Sequence, residues 1–210
     1  MTRILIADDH AVVRRGLRQI LDNVSPGVVL GEAATGEDAL EQVRNQEWTL
    51  VILDLALPGK AGLDVLKELK RSHPRLPVLV LSMYPEDQFA VRVLRAGAAG
   101  YMTKESAPEE LVKAVRKVLR GGKYVSQSLA ERLALHLDPA TDIPLHETLS
   151  DREYHVLLRI AAGKSIKEIA SELTLSAKTV STYRERLLTK IRLKSNAELT
   201  HYAIKNTLVD

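Results

Sequence analysis

Residues 49–59, TLVILDLALPG, decide the fold. From Leu50 to Leu55 the side chains are aliphatic at consecutive positions, with Asp54 as the single charged group. A strand with one wet face would alternate apolar and polar residues; one apolar on both faces belongs inside a parallel sheet covered by helices on each side. Asp54 therefore stands near the carboxyl end of a buried strand. Open parallel sheets bind their ligands beyond those ends.

Working outward, RILIA (3–7), VVLGEAA (28–34), PVLVLS (77–82) and GYMT (100–103) read as further strands. Helical patterns lie between and after them at about 10–24, 36–46, 62–72, 86–96 and 107–120. The alternation predicts an α/β domain with a doubly wound, five-stranded parallel sheet. Its strand ends gather polar residues: Asp8 and Asp9 after the first strand, Asp54 at the third, Ser82 at the fourth and Lys104 after the fifth.

Three carboxylates brought together repel one another and raise each other's pKa values; a divalent cation relieves that. Hard oxygen donors favour Mg²⁺, which is held by one or two carboxylates and also binds phosphate oxygens. Beside such an ion Asp54 could act as a nucleophile toward a phosphoryl group. Lys104 suits a phosphoryl oxygen as a point charge and the Ser82 hydroxyl can donate to another. Each residue has a plainer reading alone: Asp9 as a helix cap, Asp54 as a loop carboxylate, Ser82 as a turn residue, Lys104 as surface. The coincidence of all five at one sheet edge favours chemistry. His10, beside them, reads as packing or a helix start.

Within 210 residues two small domains fit more naturally than one. No run approaches the 18 or more apolar residues of a membrane span, no signal-peptide pattern follows Met1, and cysteine is absent. A cytoplasmic protein without disulfides is the expectation. The charge is uneven: residues 150–210 hold 11 Lys+Arg against 7 Asp+Glu, while the preceding 149 are nearly balanced. Lys178, Arg184, Arg186, Lys190, Arg192 and Lys194 face only Glu185 in one short stretch, which points to a polyanion.

From about Tyr124 the strand signal ends. One amphipathic helix, SQSLAERLALHL, leads into the linker-like DPATDIPLHETL with Pro139 and Pro144. Four helices are then expected. Ser150 with Glu153, Ser165 with Glu168 and Ser195 with Glu198 read as capping boxes, and Ser176 as a further cap. In SIKEIASELTLSAKTVSTYRERLLTKI a short helix, a tight turn and a longer basic helix form a helix-turn-helix pattern, whose second helix fits a DNA major groove. AAGKS at 161–165 ends like a phosphate-binding loop, but Leu158 stands where that motif needs glycine.

ADDH, ILDLALPG, VLVLSM and GYMTK resemble the CheY-like receiver domain of bacterial two-component response regulators. The resemblance implies Asp54 as phosphoacceptor, and Asp8, Asp9, Asp54 and the backbone carbonyl of Ala56 as Mg²⁺ ligands. It also implies Ser82 as the switch hydroxyl, Tyr101 as the aromatic that swings inward behind it, and Lys104 as the phosphate-contacting lysine. Two departures are Ala61, where Asn or Asp often precedes the glycine, and Glu105, where proline often follows the lysine. The segment from LSDREYHVLL to RERLLTKI resembles the DNA-binding domain of NarL/FixJ-type, LuxR-like regulators. There Lys178, Thr179, Ser181, Thr182, Arg184 and Arg186, with Lys190, are implied DNA contacts, and the last helix (196–208) is implied to pair two protomers. Glu185 stands where the family often has lysine.

The expected layout is a receiver at 1–121, a linker with one helix at 122–146 and a small all-α helix-turn-helix domain at 147–210. The expected function is a transcriptional response regulator rather than an enzyme, with a sensor histidine kinase, double-stranded DNA, a second copy of itself and RNA polymerase as partners, and none in the membrane. A phosphorylation-independent regulator is one alternative. An Asp-nucleophile phosphohydrolase is another, disfavoured because Ala56 stands where a second acid would be needed.

Overall fold

The computed structural model describes residues 1–22, 24, 27–106, 108–135 and 144–209. The chain forms two compact units, Met1–Asp138 and Pro139–Asp210. Pro139 and positions 136–137 of the expected sixth helix lie outside the described residues.

In the first unit β1 (Arg3–Ala7), β2 (Val29–Ala33), β3 (Leu50–Leu53), β4 (Val78–Ser82) and β5 (Gly100–Thr103) form one parallel sheet in the order β2-β1-β3-β4-β5. The helices α1 (Ala11–Leu21), α2 (Gly36–Asn45), α3 (Gly62–Ser72), α4 (Glu86–Arg95) and α5 (Pro108–Leu119) alternate with the strands. Both sheet faces are filled, as the consecutive apolar runs require. Ile4, Ile6, Leu50, Ile52, Leu79 and Leu81 pack with Leu17 and Leu21 of α1 and with Leu111, Val115 and Val118 of α5. The alternate strand positions Leu5, Val51, Leu53, Val78 and Val80 are equally buried, as are Val43 of α2, Leu66 of α3 and Phe89 of α4.

β3 ends at Leu53, one residue before Asp54, whose N–H still donates to Ala7 in β1 (2.9 Å). The side of α3 that faces this turn can only be glycine: a Cβ on Gly62 would lie 2.1 Å from the Asp54 carbonyl oxygen. Ala61 sits at the α3 N-cap without a side-chain cap, the consequence of the departure noted in the sequence.

Where the sequence suggests a linker from residue 122, the structure packs more chain onto the first unit. Tyr124 bridges to Gly100 at the sheet edge, and α6 (Gln127–Leu135) lies against α4 with Leu129 buried.

The second unit holds a short 3-10 turn (Leu145–Thr148) and α7 (Asp151–Ala161), α8 (Ile166–Glu172), α9 (Ala177–Ile191) and α10 (Asn196–Lys205). Ser150/Glu153 and Ser165/Glu168 are complete capping boxes, and Ser176 accepts from Thr179 N–H. The third box is only half made. Ser195 accepts from Glu198 N–H, but the Glu198 carboxylate takes the N–H of Lys194 instead of that of Ser195. Tyr154, Leu157, Ile169, Val180, Leu187, Ile191 and Leu199 form the core on which α7, α9 and α10 pack.

Candidate functional site

At the carboxyl ends of the strands, Asp8 and Asp54 are almost fully buried. Such carboxylates need partners, because desolvation penalises the charged form. Lys104 supplies one for both. Its Nζ lies 2.6 Å from Asp8 Oδ2 and 2.7 Å from Asp54 Oδ2. The other oxygens are held by backbone: Asp54 Oδ1 accepts from Ala56 N–H (3.1 Å) and Asp8 Oδ1 from His10 N–H (2.8 Å). Burial pushes the Asp54 carboxyl above the ordinary range, against the pull of Lys104. Burial would lower Lys104, but its bonds to Asp54 and Asp8 outweigh that and hold it above the usual lysine value.

Asp9 is more exposed, and its carboxylate contacts the His10 imidazole at 2.6 Å. His10 starts α1 as its N-cap residue, without a side-chain cap bond; its side chain does not pack but is mostly exposed and pairs with Asp9. Donor atoms of Asp8, Asp9, His10 and Asp54 all lie within 4.8 Å of one another. Three carboxylates and one ammonium leave a net charge of −2, which a divalent cation would neutralise. The oxygen donors and this deficit fit a hard divalent ion.

Ser82 is buried at the end of β4, with its Oγ accepting from Tyr84 N–H (3.3 Å). Tyr101 is wholly buried on β5 and its hydroxyl donates to the Tyr84 carbonyl (2.7 Å). Burial raises that hydroxyl far above the ordinary phenol range. The inward position that the resemblance assigns to a swung aromatic is thus the one seen. Sequence reading did not single out Tyr84, whose part is played by its backbone and leaves no side-chain signal.

In the second unit, Ser176 starts α9 and Lys178, Thr182, Glu185, Arg186 and Thr189 share its exposed side, opposite buried Val180, Leu187 and Ile191. Thr179 and Ser181 flank this stripe, half-buried. Two of the expected DNA contacts are otherwise engaged. Arg184 Nε donates to Asn196 Oδ1 (2.6 Å), and Lys190 Nζ pairs with Glu153 Oε2 (2.7 Å), a carboxylate that is itself buried. Burial works against ionisation of Glu153, yet Lys190 and the Ser150 contacts hold its pKa below the usual glutamate value. Thr189, missed in the sequence, falls on the exposed stripe by the 3.6-residue period alone.

A doubly wound sheet with buried acids at its strand ends and a helix-turn-helix unit in the same chain together define a DNA-binding two-component response regulator of the LuxR type. The chain belongs to that family: residues 4–116 match the response regulator receiver domain and residues 147–203 the bacterial regulatory proteins of the luxR family. It is 37% identical over 209 residues to the response regulator UvrY of Escherichia coli K12, covering 99% of this chain and 96% of that one. It is 38% identical over 211 residues to the response regulator GacA of Pseudomonas aeruginosa PAO1, covering 100% and 99%. Among solved structures, RcsB of Salmonella enterica serovar Typhimurium, bound to the promoter rprA with the phosphomimetic BeF3⁻, superposes with a TM-score of 0.66 at 29% identity, covering 96% of this chain and 97% of that one. No described helix is long and apolar enough to cross a membrane.

Proposed function

We propose that the chain is a transcription regulator switched by phosphorylation of Asp54, with a sensor histidine kinase as donor. The observation that carries the reading is the buried pair of Asp8 and Asp54 bridged by Lys104 at the strand ends. Asp8, Asp9, Asp54 and the Ala56 carbonyl would hold Mg²⁺. When bound, the ion supplies positive charge that screens an incoming phosphoryl group from the carboxylates.

Asp54 attacks phosphorus through a carboxylate oxygen; the new O–P bond forms as the donor's P–N bond to its histidine breaks. The released imidazole takes its proton from solvent. Lys104 pairs with a phosphoryl oxygen in place of its contact with the Asp54 carboxylate, and Ser82 Oγ–H donates to another. The chain transfers one phosphoryl group to itself and loses it slowly, so it is not a turnover enzyme.

The phosphoryl group brings about 1.5 to 2 negative charges to this edge in place of the single carboxylate charge of Asp54. A shift of population follows, toward a homodimer that presents two α9 helices to half-sites about one DNA turn apart. Ile204, exposed on α10, supports pairing through the last helix. Moving a population from 1:99 to 99:1 needs roughly 5.5 kcal/mol, so dimer contacts and DNA share the work. The capture of RcsB on a promoter with a phosphomimetic supports the same order of events here. On DNA the dimer would act on RNA polymerase, in the cytoplasm.

The test is to incubate the protein with Mg²⁺ and acetyl phosphate and follow intact mass and oligomeric state together, with Asp54→Asn as control. One phosphoryl group, absent from the variant, with a shift toward dimer, is expected. An Asp54→Asn protein that binds promoter DNA as well as phosphorylated parent would overturn the reading in favour of a phosphorylation-independent regulator.

A further inference from the structure

Asp8, Asp9 and His10 are consecutive in the corner between β1 and α1, and their side chains converge. His10 is the N-cap residue of α1 (φ −86°, ψ 109°), but its side chain makes no cap bond. Histidine is not among the residues favoured at that position, so the start of α1 does not call for an imidazole. The ring is nevertheless aimed inward. Its Nδ1 lies 2.6 Å from Asp9 Oδ1 and 3.5 Å from Asp8 Oδ1, although the side chain is 65% exposed and could face water.

The pocket therefore has two sides. Lys104 Nζ holds Oδ2 of Asp8 and Oδ2 of Asp54, whereas Oδ1 of Asp8 and Oδ1 of Asp9 lie toward His10. An ion that binds nitrogen and oxygen at about 2.0 to 2.2 Å sets its neighbouring ligand atoms roughly 3 to 3.5 Å apart. Both distances to Nδ1 are within about half an ångström of that spacing. The two carboxylates also balance the charge of a divalent ion.

We propose that Asp8, Asp9 and His10 give the pocket a second coordination mode, which takes a divalent transition ion of the Zn²⁺ kind in competition with Mg²⁺. Imidazole suits Zn²⁺ and its neighbours in the transition series, whereas Mg²⁺ takes oxygen ligands. Nδ1 ligates, Nε2 keeps its proton, and water fills the remaining positions on the ion. Lys104 stays on the Oδ2 atoms. Because both modes use Asp8 and Asp9, one ion excludes the other, and the metal in the pocket depends on which is available. The inference goes beyond the phosphorylation reading and borrows from it only the Mg²⁺ ligands.

The experiment is calorimetric titration of the full chain with Zn²⁺, with Mg²⁺, and with Zn²⁺ in the presence of Mg²⁺, for the parent, His10→Gln and Asp9→Asn; melting curves check that the variants fold. Zn²⁺ affinity is expected to fall about tenfold or more in His10→Gln, with a much smaller change for Mg²⁺, since losing even an outer partner of a metal ligand costs that much. Asp9→Asn should weaken both ions, and Mg²⁺ should weaken Zn²⁺ binding to the parent. Equal Zn²⁺ affinity in parent and His10→Gln would overturn the assignment of His10. Equal losses of Zn²⁺ and Mg²⁺ in that variant would overturn it too, because the imidazole would then only shape the corner. Zn²⁺ binding indifferent to Mg²⁺ would overturn the shared site. A parent that binds no Mg²⁺ would overturn the Mg²⁺ part of the reading above and with it the competition, while the two Zn²⁺ affinities would still decide whether His10 is a ligand.

Discussion

Lys104 Nζ sits 2.7 Å from Asp54 Oδ2 while also touching Asp8, so one ammonium occupies the space between two buried carboxylates. That position makes the lysine a competitor of any cation for the same oxygens. Lys104→Met should bind Mg²⁺ more tightly than the parent, by about tenfold, corresponding to roughly 1.4 kcal/mol. Without Mg²⁺ the variant should be destabilised by about 3 kcal/mol, because two buried charges lose their partner. Calorimetric titration and melting curves with and without the ion check both, and equal Mg²⁺ affinity would show that the lysine does not compete.

Gly62 is fixed by the Asp54 carbonyl, which a Cβ would approach to 2.1 Å. The obstacle is backbone of the site itself, so no side-chain rotation relieves it. Gly62→Ala should cost about 3 kcal/mol and slow phosphorylation, since the β3–α3 turn must shift and carry Asp54 with it. A variant that melts with the parent and is phosphorylated at the parental rate would contradict this.

Much of this was legible in the sequence because it rests on local rules. Consecutive apolar residues from Leu50 to Leu53 identified a buried strand, and the polar residues that end the strands had to share one edge. The Ser150 and Ser165 boxes formed as read, because their partners lie three residues away. What escaped depends on distance through space. Glu153 looked like a capping residue only, yet its carboxylate also binds Lys190, 37 positions on. The docking of α6 rests on Glu86, whose carboxylate binds Ser126 and Ser128, 40 and 42 positions on, which no periodicity announces. His10 was read as packing or a helix start; it does start α1, as its N-cap residue, and the contact of its side chain with Asp9 follows from that turn.

The Glu153–Lys190 pair makes the second unit sensitive to acid. Glu153 has its folded pKa below the ordinary 4.5, so its stabilisation is present above 4.5 and is lost as pH falls through the folded value. Lys190→Met should destabilise this unit by about 1 to 2 kcal/mol at neutral pH, a range discounted because the lysine is partly solvated. The difference from parent should shrink as pH drops below 4.5. Denaturant melts of both proteins at neutral and acid pH check the sign, and a constant difference would mean the lysine acts by packing.

On α9, Glu185 shares the exposed stripe with Lys178 and Arg186, where a carboxylate repels phosphate. Glu185→Lys should strengthen binding to random duplex DNA and steepen the dependence of log K on log salt by about one. Lys178→Ala should flatten it by about the same amount. Salt titrations by fluorescence anisotropy read both slopes, and unchanged slopes would remove this side of the helix from the DNA interface.

Ile204 is a large apolar side chain left about half exposed on α10 while its neighbour Ala203 is buried. A solitary exposed isoleucine is unremarkable on a surface, but on a helix expected to pair with its own copy it would form the centre of a two-fold contact. In such a contact the residue meets its own symmetry mate, so Ile204→Glu places two like charges together. Affinity for a palindromic site should then fall by about tenfold or more, while affinity for a single half-site stays the same, since α9 is untouched. Binding titrations on the two DNAs separate the outcomes: equal loss on both would assign Ile204 to folding of the unit, and no loss on either would move the dimer contact away from α10.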